Sequence, residues 1–521
     1  MKKSFKKNRI QVFLIILILL LSTKIDFRFD EINPGSFVDD AEYYYHSQTI
    51  GIDFDLDYSN QMPDTPNRNL NKDDKEKTLP VHSIGVGIFA APFLFLSNLV
   101  SKIIDFNSFV SFNYFLYSLV PIFYIFSSGK LIEKILSVNH VEYSKLLLYL
   151  SIFGSGVSYF AFERFSMSHV YEFFGTTFLI YLVTIHQSKT RFQKIILEIF
   201  IPVFMFVALT VRWSNYFLLI VPFFYKYLIN KDTENFYKKF TFIFGFFLGL
   251  ALFLLHTKYL YGIYTINPSD IFLQVESRIS NDYYRFFDLN RFFENIIYIL
   301  RAAFIINFSQ EFGLFYFSPI LFFGYFSIFY FLLKGKFTSF LIVSLIQIFP
   351  FFSTLVLNNP GYSYGYRYMY STIPVFIILF FISFQHKNII KNYIFVFSIF
   401  AYLSILFFES SELAVLSSDY VTNSFGLYTK YVNPTYLSGI LNSFLIFDSY
   451  LNVIFTSFLG VFIIKILSHI TEPYSFIEQF RPLTEDISDL INNSLNFSWS
   501  MFTVLILFFL IISLNLINDK T

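Results

Sequence analysis

Apolar runs of membrane-crossing length recur along this chain, separated by short polar turns that carry Lys and Arg. They lie around 107–128, 146–162, 170–185, 195–211, 213–229, 239–256, 312–333, 338–357, 369–384, 392–408, 449–466 and 500–516. A helix needs ~20 apolar residues to cross the hydrocarbon core, so each run predicts one transmembrane helix. An earlier run, Ile10 to Leu21, follows Lys2, Lys3, Lys6, Lys7 and Arg9 and leads to no small-x-small cleavage site. It reads as a first span with its N-terminus in the cytoplasm, extended by Ile25, Phe27 and Phe29, rather than as a signal peptide.

The stretch 83–104 is apolar too, and the basic turns decide its placement. If it does not span, the Lys and Arg clusters at 130–145, 189–194, 226–239, 334–336 and 387–391 share the side of the basic N-terminus. If it spans, they all flip outward, against the positive-inside rule. The expected topology is therefore 13 spans, N-terminus in and C-terminus out, with 83–104 juxtamembrane or re-entrant. The predicted fold class is an all-α polytopic membrane protein. Residues 1–24 form a basic tail and first span, 25–106 an acidic outer loop, and 107–408 the transmembrane core. Residues 409–521 hold an outer loop, two spans and a cytoplasmic segment at 467–498, where Ile477, Phe480, Ile487, Leu490 and Ile491 recur at helical spacing.

Composition sharpens this. Of 521 residues, 14% are charged against roughly 25% in soluble domains, and 55% are hydrophobic, with 77 Phe and 38 Tyr. A net charge of +1 offers no basic face for nucleic acid, and with no cysteine there is neither a disulfide framework nor a thiolate site.

The scarce charges are unevenly placed. From Ile25 to Lys77 there are 13 acidic and 5 basic residues, grouped as Asp39-Asp40-Ala41-Glu42-Tyr43, then Asp53-x-Asp55-x-Asp57, then Asp73-Asp74. The last pair, among lysines, reads as a solvated loop. The first, just outside a span and followed by tyrosines, is placed to lose solvation and rise in pKa, as a general base requires. Asp53, Asp55 and Asp57 are candidate ligands for a divalent cation if the segment is extended, without the Gly and distal Glu of an EF-hand. The outer hairpins around Arg164–His169, Arg212 and Gly361–Tyr368 are aromatic with one cation each. Singly they suit snorkelling to lipid headgroups; together they suit a phosphate at the bilayer surface. Mid-span ionisable groups are nearly absent, which points away from ion-coupled transport.

In this order the motifs resemble the GT-C superfamily of polytopic glycosyltransferases, and among them bacterial aminoarabinose transferases and protein O-mannosyltransferases. Val38–Tyr43 resembles the acidic motif of that group's first outer loop, and Val81-His82-Ser83-Ile84-Gly85 through Pro92-Phe93 its His-Pro-x-Gly juxtamembrane helix. Gly313–Pro319 and Gly365-Tyr366-Arg367-Tyr368, with Pro374 beyond, resemble its later segments. Ser83, Asp40 and Tyr366 depart from the usual residues.

The resemblance implies a bacterial inner-membrane enzyme. It would move a sugar from a polyprenyl-phosphate donor to an extracytoplasmic acceptor (lipid, glycan or protein) with inversion. It implies Asp39 as general base with Asp40 as the second choice. Arg367, with Arg212, His169 or Lys258, would stabilise the leaving phosphate, while His82 and Tyr43 would contact substrate. Two other readings stand beside it. An O-antigen polymerase or ligase would place key cations in the late outer loop, where only Lys430 lies in 409–447. A lipid-linked oligosaccharide flippase would line a central cavity with charge.

Overall fold

The computed structural model describes residues 15–25, 38–62, 82–102, 111–186, 188–224, 236–267, 292–308, 313–357, 366–384, 387–408 and 453–467, with Phe13, Arg28, Pro80, Asp270, Phe444 and Tyr450 besides. The basic tail, Asp73, Asp74, the turn at 361–365, the loop at 409–443, residues 468–498 of the amphipathic segment and the last apolar run lie outside the described residues.

The helices are α1 (15–22), α2 (Val38–Gln48), α3 (Gly85–Ser101), α4 (Phe112–Val138), α5 (Lys145–Phe153), α6 (Tyr159–Phe162), α7 (His169–His186), α8 (Arg191–Leu209), α9 (Val221–Phe224), α10 (Phe240–Tyr261), α11 (Phe292–Phe308), α12 (Leu314–Phe317), α13 (Pro319–Leu333), α14 (Phe337–Leu357), α15 (Ile373–Phe384), α16 (Asn388–Phe408) and α17 (Phe458–Leu467), and all but α2, α3 and α11 fall on the apolar runs. The sole bridge among the described residues is the isolated pair Lys24–Ser457. The chain is an all-α membrane protein. Among the described residues five helices are long and apolar enough to cross a bilayer, or up to six if the pair bent by 65° between Phe153 and Gly156 counts as one span.

Local signals set the ends. Ser111 and Ser144 accept the amides of Tyr114 and Leu147 to start α4 and α5, and Gly262 at φ 74° closes α10. Several runs expected as single helices are interrupted. The 146–162 run breaks at Gly154–Ser158, where a Cβ on Gly156 would collide with the Tyr370 hydroxyl. The run from 213 forms a 3-10 turn (Tyr216–Leu219) before α9, and 312–333 breaks at Ser318–Pro319. Packing against Tyr370 accompanies the first break, whereas the other two sit at Pro222 and Pro319, which disfavour helix in the residue before them.

The stretch 83–104 forms α3, 17 residues long, and this is short for a crossing. It runs antiparallel along α4: the Tyr124 hydroxyl donates to the Phe89 carbonyl at 2.7 Å, and Ser97 to Asn113 at 2.5 Å. Phe89 wedges among Tyr124, Phe174 and Phe204 with ring centroids at 5.9, 5.9 and 6.2 Å. Helix α2 packs on α3 through glycine, since a Cβ on Gly87 would meet His46 backbone carbon at 2.7 Å. Gly87→Val is therefore expected to force the two helices apart at a cost of about 1–3 kcal/mol, read as a lower melting temperature in detergent. An unchanged melt would show that this contact is not tight.

The opposite ends of α7 and α8 are tied by Glu198, which accepts Lys239 Nζ at 2.7 Å and lies 3.1 Å from His186 Nε2. An 18-residue helix is ~27 Å long, so this clamp sits far from the start of α7.

Candidate active site

Helix α2 carries the acidic motif in its first turn, where the helix dipole favours negative charge. Successive residues point ~100° apart, so Asp39 and Asp40 face different surroundings. Asp39, Glu42, Tyr43 and His46, at i, i+3, i+4 and i+7, form one stripe towards His82. Asp40, Tyr44 and Ser47 form another towards α4.

On the first stripe, buried Glu42 accepts both the His82 backbone N–H at 2.9 Å and its Nδ1 at 2.7 Å. The other ring nitrogen, Nε2, lies 3.3 Å from Asp39 Oδ1. The Tyr43 ring meets His82 edge-on at 5.4 Å. His46 anchors the same segment, with Nε2 at 2.8 Å from the His82 carbonyl and Nδ1 at 2.6 Å from the Tyr58 hydroxyl. A carbonyl only accepts, so Nε2 carries the His46 proton and Nδ1 accepts from Tyr58. Burial lowers the His46 pKa to about 4, so the ring is neutral.

On the second stripe, Arg164 donates Nε at 3.0 Å and Nη2 at 2.7 Å to one oxygen of Asp40, Oδ2. The other, Oδ1, is buried without a hydrogen-bond partner among the described residues.

The two acids diverge accordingly. The Asp39 side chain is 38% exposed and that of Asp40 5%. Burial raises Asp39, but the charges of His82, Arg367, Arg164 and Arg212 outweigh it and hold its pKa below the usual value. Burial pushes Asp40 up against the pull of Arg164. The expectation of a raised base is thus corrected: the accessible acid is the depressed one, because cations from four other segments converge on it. Asp40 faces the interior.

A second layer holds the arginines. Glu172, one turn into α7 and buried, accepts Ser168 Oγ at 2.7 Å and Asn215 Nδ2 at 2.9 Å, and lies 3.5 Å from Arg212 Nε. Ser371 donates to Asn215 Oδ1 at 3.1 Å. Arg212 and Arg367 flank the Tyr368 ring, 4.8 and 5.3 Å from its centroid. Arg212 Nη1 and Arg367 Nε are buried without an acceptor among the described residues, so this pair keeps donor capacity for an anion.

Other expected site residues fall elsewhere. His169 is buried against Phe160 at 4.2 Å, with Nδ1 3.3 Å from Glu172, and supports the arginine layer from behind. Lys258 donates to its own helix end, the Gly262 carbonyl, at 2.7 Å and lies 5.5 Å from the Tyr264 centroid; it is not among the cations acting on Asp39.

The three outer aspartates are spent separately. Asp53 accepts from Asn60 at 3.2 Å, Asp55 from the Asp57 amide at 3.2 Å and Asp57 from the Ser59 amide at 3.0 Å. Among the described residues no group of three His, Asp or Glu side chains is arranged to hold a metal. Asp53 ends a single π-helical turn (Thr49–Asp53) closed by Phe54 at φ 60°, and Asp55 and Asp57 follow in irregular backbone rather than in the extended strand that would align all three.

Glu42 and Glu172 carry the site and were not singled out for it from sequence, while Arg164 was expected among the phosphate-binding cations and instead pairs with Asp40. The spacing of Glu42 from Asp39 and His46 was a usable signal, as was Glu172 standing i+3 from His169. The Asp40–Arg164 pairing had none. Comparison with protein-family models, with curated proteins and with solved structures finds no match for this chain.

Proposed function

We propose that the protein is a GT-C-like membrane glycosyltransferase that takes a sugar from a polyprenyl phosphate and delivers it to an extracytoplasmic acceptor with inversion. The observation that carries this reading is a half-exposed carboxylate, Asp39, set among His82, Arg164, Arg212 and Arg367, the last two retaining unused N–H groups. An enzyme of this kind needs both an accessible acceptor for a hydroxyl proton and a cationic site for a departing phosphate.

In the proposed reaction the acceptor oxygen bonds to the anomeric carbon as the bond from that carbon to the phosphate oxygen breaks. The electron pair leaves on the phosphate, towards Arg212 and Arg367, and the hydroxyl proton passes to Asp39. A depressed pKa keeps Asp39 ionised and ready at neutral pH. The anomeric centre, once the phosphate bond has stretched, attracts even a weakly activated hydroxyl, as in other oxocarbenium-like glycosyl transfers.

The 13-span topology belongs to this proposal, and backbone contacts support it. Lys24 N–H donates to the Phe162 carbonyl at 3.0 Å, joining two ends that the topology places outside. His186, Glu198 and Lys239 join ends that it places inside.

The test is turnover in detergent micelles, where no compartment is sealed. Farnesyl-phosphate-linked mannose, glucose and aminoarabinose serve as donors, with water or an alkyl glycoside as acceptor. Time-dependent release or transfer of one sugar is expected. Absence of turnover with every donor, alongside sugar-lipid movement in proteoliposomes, would support the transporter reading instead.

A further inference from the structure

The geometry around His82 asks for more than a substrate contact. Both ring nitrogens face carboxylate oxygens, Glu42 at 2.7 Å and Asp39 at 3.3 Å. A carboxylate only accepts, so a neutral ring satisfies one side and turns a lone pair against the other. The imidazolium satisfies both. Glu42 is buried and also holds the His82 amide, while His46 grips its carbonyl, so the ring is fixed at backbone and side chain alike.

We propose that His82 is a positioning residue: as an imidazolium clamped by Glu42, it holds the Asp39 carboxylate ionised and aimed at the acceptor hydroxyl. The proposal rests on the glycosyltransferase reading for the identity of that hydroxyl. The groups facing His82 are Asp39, Glu42, Tyr43 and His46 on α2, Arg212 after α8, and Tyr261 at the end of α10, whose hydroxyl lies 3.5 Å from the His82 carbonyl. Burial and Arg212 pull the imidazole down, and the Glu42 hydrogen bond with the Asp39 and Glu42 charges outweighs them, leaving its pKa raised.

The sign of the pH dependence follows. Below the His82 pKa the clamp is charged and Asp39 is held. As pH rises through that value the ring loses its proton and with it the hold on Asp39, so turnover falls on the alkaline side.

Two measurements test this on the full chain in detergent. The first is exchange of the His82 C2 proton with deuterium against pH, read by mass spectrometry. Its midpoint is expected above the ordinary ~6.5 in the wild type and lower by about one unit or more in Glu42→Gln. Glu42→Asp, which keeps the charge, should retain most of the rise and serves if Glu42→Gln fails to fold. The second is the pH profile of sugar transfer, whose alkaline limb should share that midpoint, move with Glu42→Gln and vanish in His82→Gln.

A wild-type midpoint at or below 6.5, or one indifferent to Glu42, overturns the clamp. A midpoint that moves without an alkaline limb in turnover overturns its role in positioning Asp39. If no donor is used at any pH, the glycosyltransferase reading falls, while the exchange midpoints still decide whether the clamp exists.

Discussion

Asp39→Asn is expected to slow sugar transfer by about 10²–10⁴-fold, equivalent to about 3–5 kcal/mol of barrier, with insertion and melting temperature close to wild type. The amide fills the same space at a partly exposed position and can still lie beside His82. It cannot accept the acceptor's proton. Removing a negative charge from among four cations also tends to strengthen anion binding, so the apparent affinity for donor should hold or improve while kcat collapses. Wild-type kcat in the purified variant would sink the assignment of Asp39 as base.

Arg164 carries the second large effect, on stability. Its guanidinium makes both of its Asp40 contacts to one oxygen, and the two side chains are 12% and 5% exposed. Arg164→Met leaves a buried carboxylate without its charge partner, a change that typically costs about 3–5 kcal/mol. Because burial already raises Asp40, the orphaned acid takes up a proton and part of that cost is recovered at low pH. The melting temperature of Arg164→Met in detergent should therefore fall well below wild type at pH 8 and less so at pH 5. Asp40→Asn combined with Arg164→Met should restore much of the loss, since a neutral pair needs no counter-charge. A double variant as unstable as the single one would mean that Arg164 stabilises the fold through its other contacts.

These two variants separate neighbours that look interchangeable in the chain. Asp39 and Asp40 are adjacent and chemically identical, yet one is partly exposed beside His82 and the other buried against Arg164. The difference is a 100° step around a helix, which turns the first towards His82 and the arginines and the second towards α4 and the turn after α6.

Much of the fold was legible because the apolar runs are long and the helical period is a local property. The helices at 191–209, 240–261 and 388–408 fall where hydropathy puts them, while that at 112–138 continues ten residues past its apolar run. The breaks at Ser318–Pro319 and before Pro222 carry a local proline signal, whereas the break at Gly154–Ser158 was not legible, since it answers to a neighbour distant in sequence. Gly156 fits because Tyr370 leaves no room for a side chain, and nothing within ten residues of Gly156 reports that.

By itself the sequence determined an oily helical protein with its rare charges gathered in a few turns, because hydrophobic transfer and helix periodicity act residue by residue. It also singled out Asp39, His82, Arg212 and Arg367 as chemistry in search of a partner. Only the tertiary structure decided which of them meet. It brought Glu42 onto His82, spent Asp40 on Arg164, withdrew Lys258 and His169, and set the Asp39 pKa low rather than high. Electrostatic shifts depend on distances between groups up to several hundred residues apart in the chain, and those distances exist only once the helices have packed.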